Sequence, residues 1–329
     1  MSRINNETMI DKASPKIFDV VIAGKTYLDL VFSDVDFPQP GTEVMAGNLT
    51  ISPGGAANRA VAAARLGSES GLLTNRGHDQ LSTLLFKTLQ KVDHLNLDLC
   101  TTSAAYRNPV SVAISTGNDR AFVTYDRSAL ALDWPAGKLT RTLFVSLSEG
   151  LPTWSQPLRD QGTIIFGGVG WDSSGRWPRQ ILESARGVDV LLMNETEARH
   201  FTGQKTTAGA LKMLREYVST AVITRGGLGS SASDPTGFIE VPAPSVEAKD
   251  PTGAGDIFAA ALMTAFTWSW PLRHCMELAT AASAYSVQTP GGALSAPGIP
   301  TILEFIQRYK GPYDWSWLID NLQAHGLNK

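Results

Sequence analysis

Short runs of β-branched and large apolar residues recur along the chain, and stretches of helical period fall between them. The first run, Phe18-Asp19-Val20-Val21-Ile22-Ala23 closing on Gly24, is short and nearly continuously apolar, the pattern of a buried strand. Further strands are predicted over 110–114, 121–125, 143–147, 163–166, 188–193 and 220–224. Helices are predicted over 80–91, 177–185, 196–202 and 208–217, and an alanine-rich helix over 56–66 begins directly at the Gly54-Gly55 turn. Strand–helix–strand alternation is how a mostly parallel sheet covered on both faces looks in sequence, so the expected class is a three-layer α/β/α domain.

Two stretches, about 27–50 and about 106–128, carry strand-like runs with no intervening helix. Within the first, Leu28, Leu30 and Phe32 share one face while Tyr27, Asp29 and Val31 share the other. These stretches predict a small separate β-sheet over one edge of the main domain, for which a lid is the natural use. Residues 1–16 are polar and read as a frayed tail, leaving 17–329 as the domain. The tail has no apolar segment of the kind a signal peptide or anchor needs.

Composition removes several function classes. With 28 Lys and Arg against 31 Asp and Glu, and no basic run, the chain lacks the electrostatic footprint of a nucleic-acid binder. No stretch of about 18 apolar residues occurs, so no membrane span is expected, and the cytoplasm is the expected location. Cys100 and Cys275, the two cysteines, read as unpaired thiols. The five histidines show no zinc-ligand spacing.

Some glycines mislead. Gly24-Lys25-Thr26 after a strand suggests a P-loop, but the motif's first glycine would fall on Asp19 and its loop on Val20-Val21-Ile22. Neither Gly226-Gly227-Leu228-Gly229 nor Gly167-Gly168-Val169-Gly170 completes a dinucleotide fingerprint, since the third glycine falls on Ala232 and Ser173.

The segment Asp250-Pro251-Thr252-Gly253-Ala254-Gly255-Asp256 runs into the apolar helix Ile257-Phe258-Ala259-Ala260-Ala261-Leu262. Its glycines therefore sit at a helix N-terminus, where backbone N–H groups lack partners and the dipole is positive. Small residues let a phosphate approach such amides closely, which makes an anion hole. Asp256 reads in two ways on spacing alone: a first-turn cap, or a carboxylate that takes a proton from an attacking hydroxyl.

This segment closely resembles the C-terminal signature of the ribokinase-like, or PfkB, carbohydrate kinase family. The family's N-terminal signature is matched by Gly54-Gly55-Ala56-Ala57-Asn58-Arg59-Ala60-Val61-Ala62-Ala63-Ala64-Arg65-Leu66-Gly67. The resemblance spans about 18–310 and implies a ribokinase-like fold with a β-sheet lid. It implies an ATP-dependent, magnesium-using kinase acting on a small sugar or sugar acid. It makes Asp256 the catalytic base, with Gly253, Ala254, Gly255 and the Asp256 amide as anion hole. On the acceptor side it implies Asp29, Gly54, Gly55 and Asn58, with Glu149 as a further carboxylate. On the nucleotide side it implies Asn194, Thr224, Gly226 and Gly229, with Glu197 reaching magnesium through water. Asn194 to Glu197 is equally a capping box.

The same resemblance implies a monovalent cation, potassium, near Asp250, Thr252 and the 289–295 loop with Ser295. A buried Asp250 is expected to need a positive partner. It also implies a homodimer formed through the lid strands. The chain departs from ribokinases proper in the double-glycine loop, which lacks their lysine, and at Tyr27, where they carry asparagine; both count against ribose itself. Arg59 reads as a solvated helix residue, the alternative being a contact to an acidic substrate group. Two further readings stay open: a nucleoside kinase, for which Tyr27, Tyr106 and Tyr125 would offer a base slot, and a catalytically silent sugar-binding regulator.

Overall fold

The structure, a computed structural model, describes residues 16–116, 120–148, 150–170, 175–289 and 291–326. Of the expected N-terminal tail, 1–15 lie outside the described residues, and Lys16 already opens the first strand. A nine-stranded sheet forms the centre. Its order from one edge is Gly237–Val241, Ser230–Asp234, Thr220–Thr224, Val190–Asn194, Ile164–Gly168, Lys138–Ser146, Lys16–Ala23, Ser70–Leu73 and Leu95–Asn96. Neighbours are parallel except at the first edge, where Ser230–Asp234 and Gly237–Val241 run antiparallel.

The alternation of each strand assigns its side chains to two cores. Val20, Ile22, Phe144, Phe166, Leu192 and Val222 face the helices Ala56–Arg65, Ala254–Thr267 and Leu272–Ser286. Val21, Ala23, Leu143, Val145, Ile165, Leu191, Ala221 and Ile223 face Glu195–Thr202 and Thr207–Leu214. Burial on both faces is why these strands read as continuous apolar runs. The fold is therefore the expected three-layer α/β/α arrangement around a mostly parallel sheet. The first side holds more helix than expected: Leu272–Ser286, Ile299–Arg308 and Ser316–Gly326 carry no separate sequence prediction.

A second sheet of four strands has the order Asn48–Gly55, Thr26–Ser33, Val110–Ser115 and Arg120–Tyr125. Its register places Ile51, Leu30, Val112 and Val123 in one row and Leu49, Phe32, Ile114 and Ala121 in another on the same face. The opposite face carries Ser52, Asp29, Ser111 and Thr124. The apolar face packs on the main core only at its inner end, through Leu28, Leu30 and Val110.

The glycine pair that reads as a turn is the end of a strand. Asn48–Gly55 stays paired through Gly55, which then turns at φ +62° and starts the next helix. A Cβ at Gly55 would lie 2.6 Å from both the Lys25 carbonyl oxygen and the Tyr27 ring, so only glycine fits this corner.

Candidate active site

Two helices begin at the carboxyl ends of the central strands and converge there. Ala254–Thr267 starts at Gly253, which adopts φ +78°. The first intrahelical bond runs from the Ile257 amide to the Gly253 carbonyl, so the Gly255 and Asp256 amides precede it and lack helical acceptors. A Cβ at Gly255 would meet nothing within 4 Å, which leaves these amides open to an incoming anion. Ala254 differs from expectation: its amide donates to the Pro251 carbonyl at 3.2 Å and its carbonyl accepts from Ser283 Oγ at 3.1 Å. A turn that reverses the chain before the helix uses that N–H, so the Ala254 amide, expected in the anion hole, is already engaged.

Asp256 opens into a cleft of about 190 Å³, lined also by Arg59, Phe144, Gly168, Asn194, Glu197, Thr224, Gly253 and Gly255. The other helix supplies both partners of its carboxylate. Asn58 Nδ2 donates to Oδ2 at 3.0 Å, and Arg59 Nη2 lies 2.8 Å from Oδ1. Arg59 is thus not the solvated residue expected from its position beside Asn58. Its guanidinium carbon lies 4.2 Å from the Phe144 ring centroid, and an aromatic face holds a cation this way at little desolvation cost. Asn58 is buried, and its Oδ1 finds no hydrogen-bond donor among the described residues.

Asp29 lies on Thr26–Ser33 of the small sheet. Gly54 packs against its carboxylate so closely that a Cβ there would stand 2.2 Å from Oδ2. Burial first, and the Asp256 charge second, push the Asp29 carboxyl up to about 6. Nearby, Lys25 Nζ pairs with Asp126 at 3.0 Å, and the Tyr27 hydroxyl donates to Asp126 Oδ2 at 3.2 Å. Burial and Asp126 together raise the Tyr27 phenol. From sequence, Lys25 reads only as a lysine beyond a strand end and Gly168 only as part of an incomplete dinucleotide fingerprint, and Asp126 and Phe144 carry no site signal.

On the other side, the Asn194 amide donates to Glu197 Oε2 at 2.9 Å and the Glu197 amide donates to Asn194 Oδ1 at 2.8 Å, a complete capping box. Glu197 is 8% exposed, and burial raises its carboxyl against the opposing pull of the Asn194 amide and the Arg59 charge. Thr224 ends its strand on the cleft, while Gly226 and Gly229 form the turn beyond it, at φ +54° and +90°. A Cβ at Gly229 would lie 2.1 Å from the Val241 carbonyl oxygen, so that turn requires glycine for its return into the sheet.

Asp250 sits behind the helix start, half-buried. Its Oδ1 accepts from the Thr252 amide at 2.9 Å and its Oδ2 from the Gly291 amide at 3.4 Å. Backbone amides thus already answer the carboxylate that was expected to need a cation. Ser295 Oγ reaches the Ser286 carbonyl at 3.5 Å. Glu149 lies outside the described residues. Among the described residues, no cluster of three or more His, Cys, Asp or Glu side chains forms a metal cage, and no helix is long and apolar enough to cross a membrane.

A parallel α/β sheet with a helix N-terminus, an aspartate and a capping-box glutamate at its carboxyl edge is the architecture of a phosphate-handling α/β enzyme. The chain belongs to the pfkB family of carbohydrate kinases, whose model matches residues 18–299. It is 23% identical over 321 residues to a bifunctional ribokinase/ribose-5-phosphate isomerase A of Fructilactobacillus sanfranciscensis, covering 88% of this chain and 56% of that one. It is 24% identical over 308 residues to a nucleoside kinase of Methanocaldococcus jannaschii, covering 90% of this chain and 99% of the other. The fold superimposes on the structure of Arabidopsis thaliana ribokinase complexed with ribose and ATP with a TM-score of 0.73, at 20% identity, over 90% of this chain and 100% of that one. The protein is an ATP-dependent kinase, and its family uses ATP with magnesium.

The Asp29 carboxyl predicts a pH profile. A buried acid raised to about 6 binds its proton more tightly than a free one, so it loses its acceptor capacity as pH falls through 6. If ionised Asp29 receives substrate hydroxyls, kcat/KM for the acceptor should fall about tenfold per unit below pH 6, with kcat at saturating acceptor changing less. A flat kcat/KM from pH 7 to pH 5 would remove Asp29 from acceptor binding.

Proposed function

We propose that this kinase transfers the γ-phosphoryl group of ATP to a hydroxyl of a small sugar or sugar acid, with Asp256 as base. The acceptor oxygen bonds to phosphorus as the bond from phosphorus to the ADP oxygen breaks, and the hydroxyl proton passes to the Asp256 carboxylate. The Gly255 and Asp256 amides, backed by the positive end of their helix, support charge on the group in flight. Asn194 and Thr224 stand on the nucleotide side. Magnesium, when bound, neutralises phosphate charge; Glu197 would reach it through water, which suits a site with few direct protein ligands. Asp29 and the unpaired Asn58 oxygen accept from acceptor hydroxyls, with Gly54 and Gly55 shaping that wall.

The observation that carries this reading is one helical turn holding an aspartate and two open amides on the same cleft. The tyrosines favour a sugar over a nucleobase. Tyr27 packs on the Gly55 corner with its hydroxyl on Asp126, Tyr106 is buried, and Tyr125 is exposed at the sheet edge. ADP release across sugars, sugar acids and nucleosides is the test, with turnover expected on a sugar or sugar acid. Preference for nucleosides would overturn the acceptor assignment, and binding without turnover would favour a silent regulator. Asp256→Asn should lower kcat by at least about 10²-fold; near-normal turnover in that variant would remove Asp256 from the role.

Two finer features belong to the same proposal. Asp250 ties the 250–252 segment to Gly291 of the loop carrying Ser295, and a potassium ion seated on oxygens there, Thr252 among them, would brace the anion hole from behind. Activity should then be several-fold higher in potassium than in sodium or tetramethylammonium; equal rates in all three count against the site. The small sheet is proposed as the lid and as a homodimer contact. Its uncovered face exposes Leu49, Ile51 and Val123, the last to 71%, and a second copy would bury it. Sedimentation should give a dimer that Ile51→Glu with Val123→Glu converts to monomer, whereas a wild-type monomer at micromolar concentration would refute the contact.

A further inference from the structure

Arg59 is held from three directions. Phe144 lies under its guanidinium, Asp256 accepts from Nη2, and its charge reaches the buried Glu197. Gly168 makes this possible, since a Cβ there would lie 2.4 Å from the edge of the Phe144 ring. Yet Arg59 Nε is buried with no acceptor among the described residues. An arginine offers five donors in a planar fork, and one carboxylate oxygen leaves most of that fork unused.

Position decides what the fork is for. Arg59 lines the cleft together with Asn194, Glu197, Thr224, Gly253 and Gly255, whereas its neighbour Asn58 is not among the lining residues. The guanidinium therefore lies on the nucleotide side of Asp256. A permanent clamp there would neutralise the carboxylate and oppose proton uptake. A phosphoryl group, with more charge and three oxygens, is the stronger partner for the same fork. The Phe144 face lets the guanidinium pivot between the two without losing its support.

We propose that Arg59 is a further residue of phosphoryl transfer, exchanging its pair with Asp256 for the terminal phosphoryl oxygens of bound ATP and so releasing Asp256 to act as base. This rests on the kinase reading above. Arg59 stays protonated throughout; the acceptor's proton still goes to Asp256, and ADP still leaves as the new oxygen–phosphorus bond forms. The base is thereby unmasked only when a nucleotide with a terminal phosphoryl group is in place.

The test compares wild type with Arg59→Gln and Arg59→Lys by calorimetric titration of magnesium β,γ-imido-ATP and magnesium ADP, and by steady-state kinetics. Arg59→Gln should lose at least about tenfold in affinity for the triphosphate analogue, while ADP affinity stays within about threefold. Its kcat should fall about 10²-fold with the acceptor KM little changed, and Arg59→Lys should recover part of the loss. Equal losses for both nucleotides would make Arg59 a structural clamp and overturn the proposal. So would kcat within about threefold of wild type, or a rise in acceptor KM alone. A wild-type enzyme that discriminates the two nucleotides through Arg59 yet phosphorylates no acceptor supports this role and overturns the acceptor reading instead.

Discussion

Everything at the cleft depends on close packing between two alanine-faced helices. Ala56–Arg65 buries Ala57, Ala60 and Ala63, and Ala254–Thr267 buries Ala260, Ala261 and Ala265 in the same core. Side chains this small bring helix backbones near each other, and the Ser68 and Thr264 hydroxyls, 3.0 Å apart, link the far ends. With the axes so held, the two N-termini open on one cleft, and Asn58 and Arg59 meet an aspartate almost two hundred residues away in sequence. A larger side chain at this seam would push the starts apart and separate the pair without touching the site itself.

That packing sets the electrostatics. Asp29, Asp256 and Glu197 crowd a small volume, and a polyphosphate must enter beside them. Two kinds of positive potential oppose the crowding: the dipole of the Ala254–Thr267 start and the side-chain charge of Arg59. The dipole positions an anion. The side-chain charge is the one that the proposed exchange moves from Asp256 to phosphate, which a backbone amide cannot do.

Much of this was legible in the chain. Period and run length located the central strands because burial on both faces leaves an unbroken apolar signature, and the polar-apolar alternation of 27–32 correctly separated Asp29 from Leu28 and Leu30. The Asp256 segment announced itself through glycines ahead of an apolar helix. The rest was long-range. That Arg59 turns inward depends on Phe144 and on the missing Cβ of Gly168, two strands that local pattern cannot bring together. Gly54 reads as a turn residue, yet it is glycine because the Asp29 carboxylate on the paired strand occupies its Cβ space. Ala254 shows the opposite limit: a motif names four residues alike, but the Pro251 carbonyl already holds one of the amides.

The proposed acceptor side rests on an imbalance. Asp29 is desolvated and feels the Asp256 charge, so its own charge is costly to hold. Asn58 adds a buried oxygen with no donor among the described residues. The site therefore holds an excess of acceptors on two rigid elements, one a strand of the small sheet and the other a helix start. On the proposed reading, a molecule with several adjacent hydroxyls donates to Asp29 and Asn58 and presents an oxygen to Asp256. The ribose of a nucleoside carries such hydroxyls just as a free sugar does, so this wall answers a polyol unit and leaves the choice between the two to contacts beyond it.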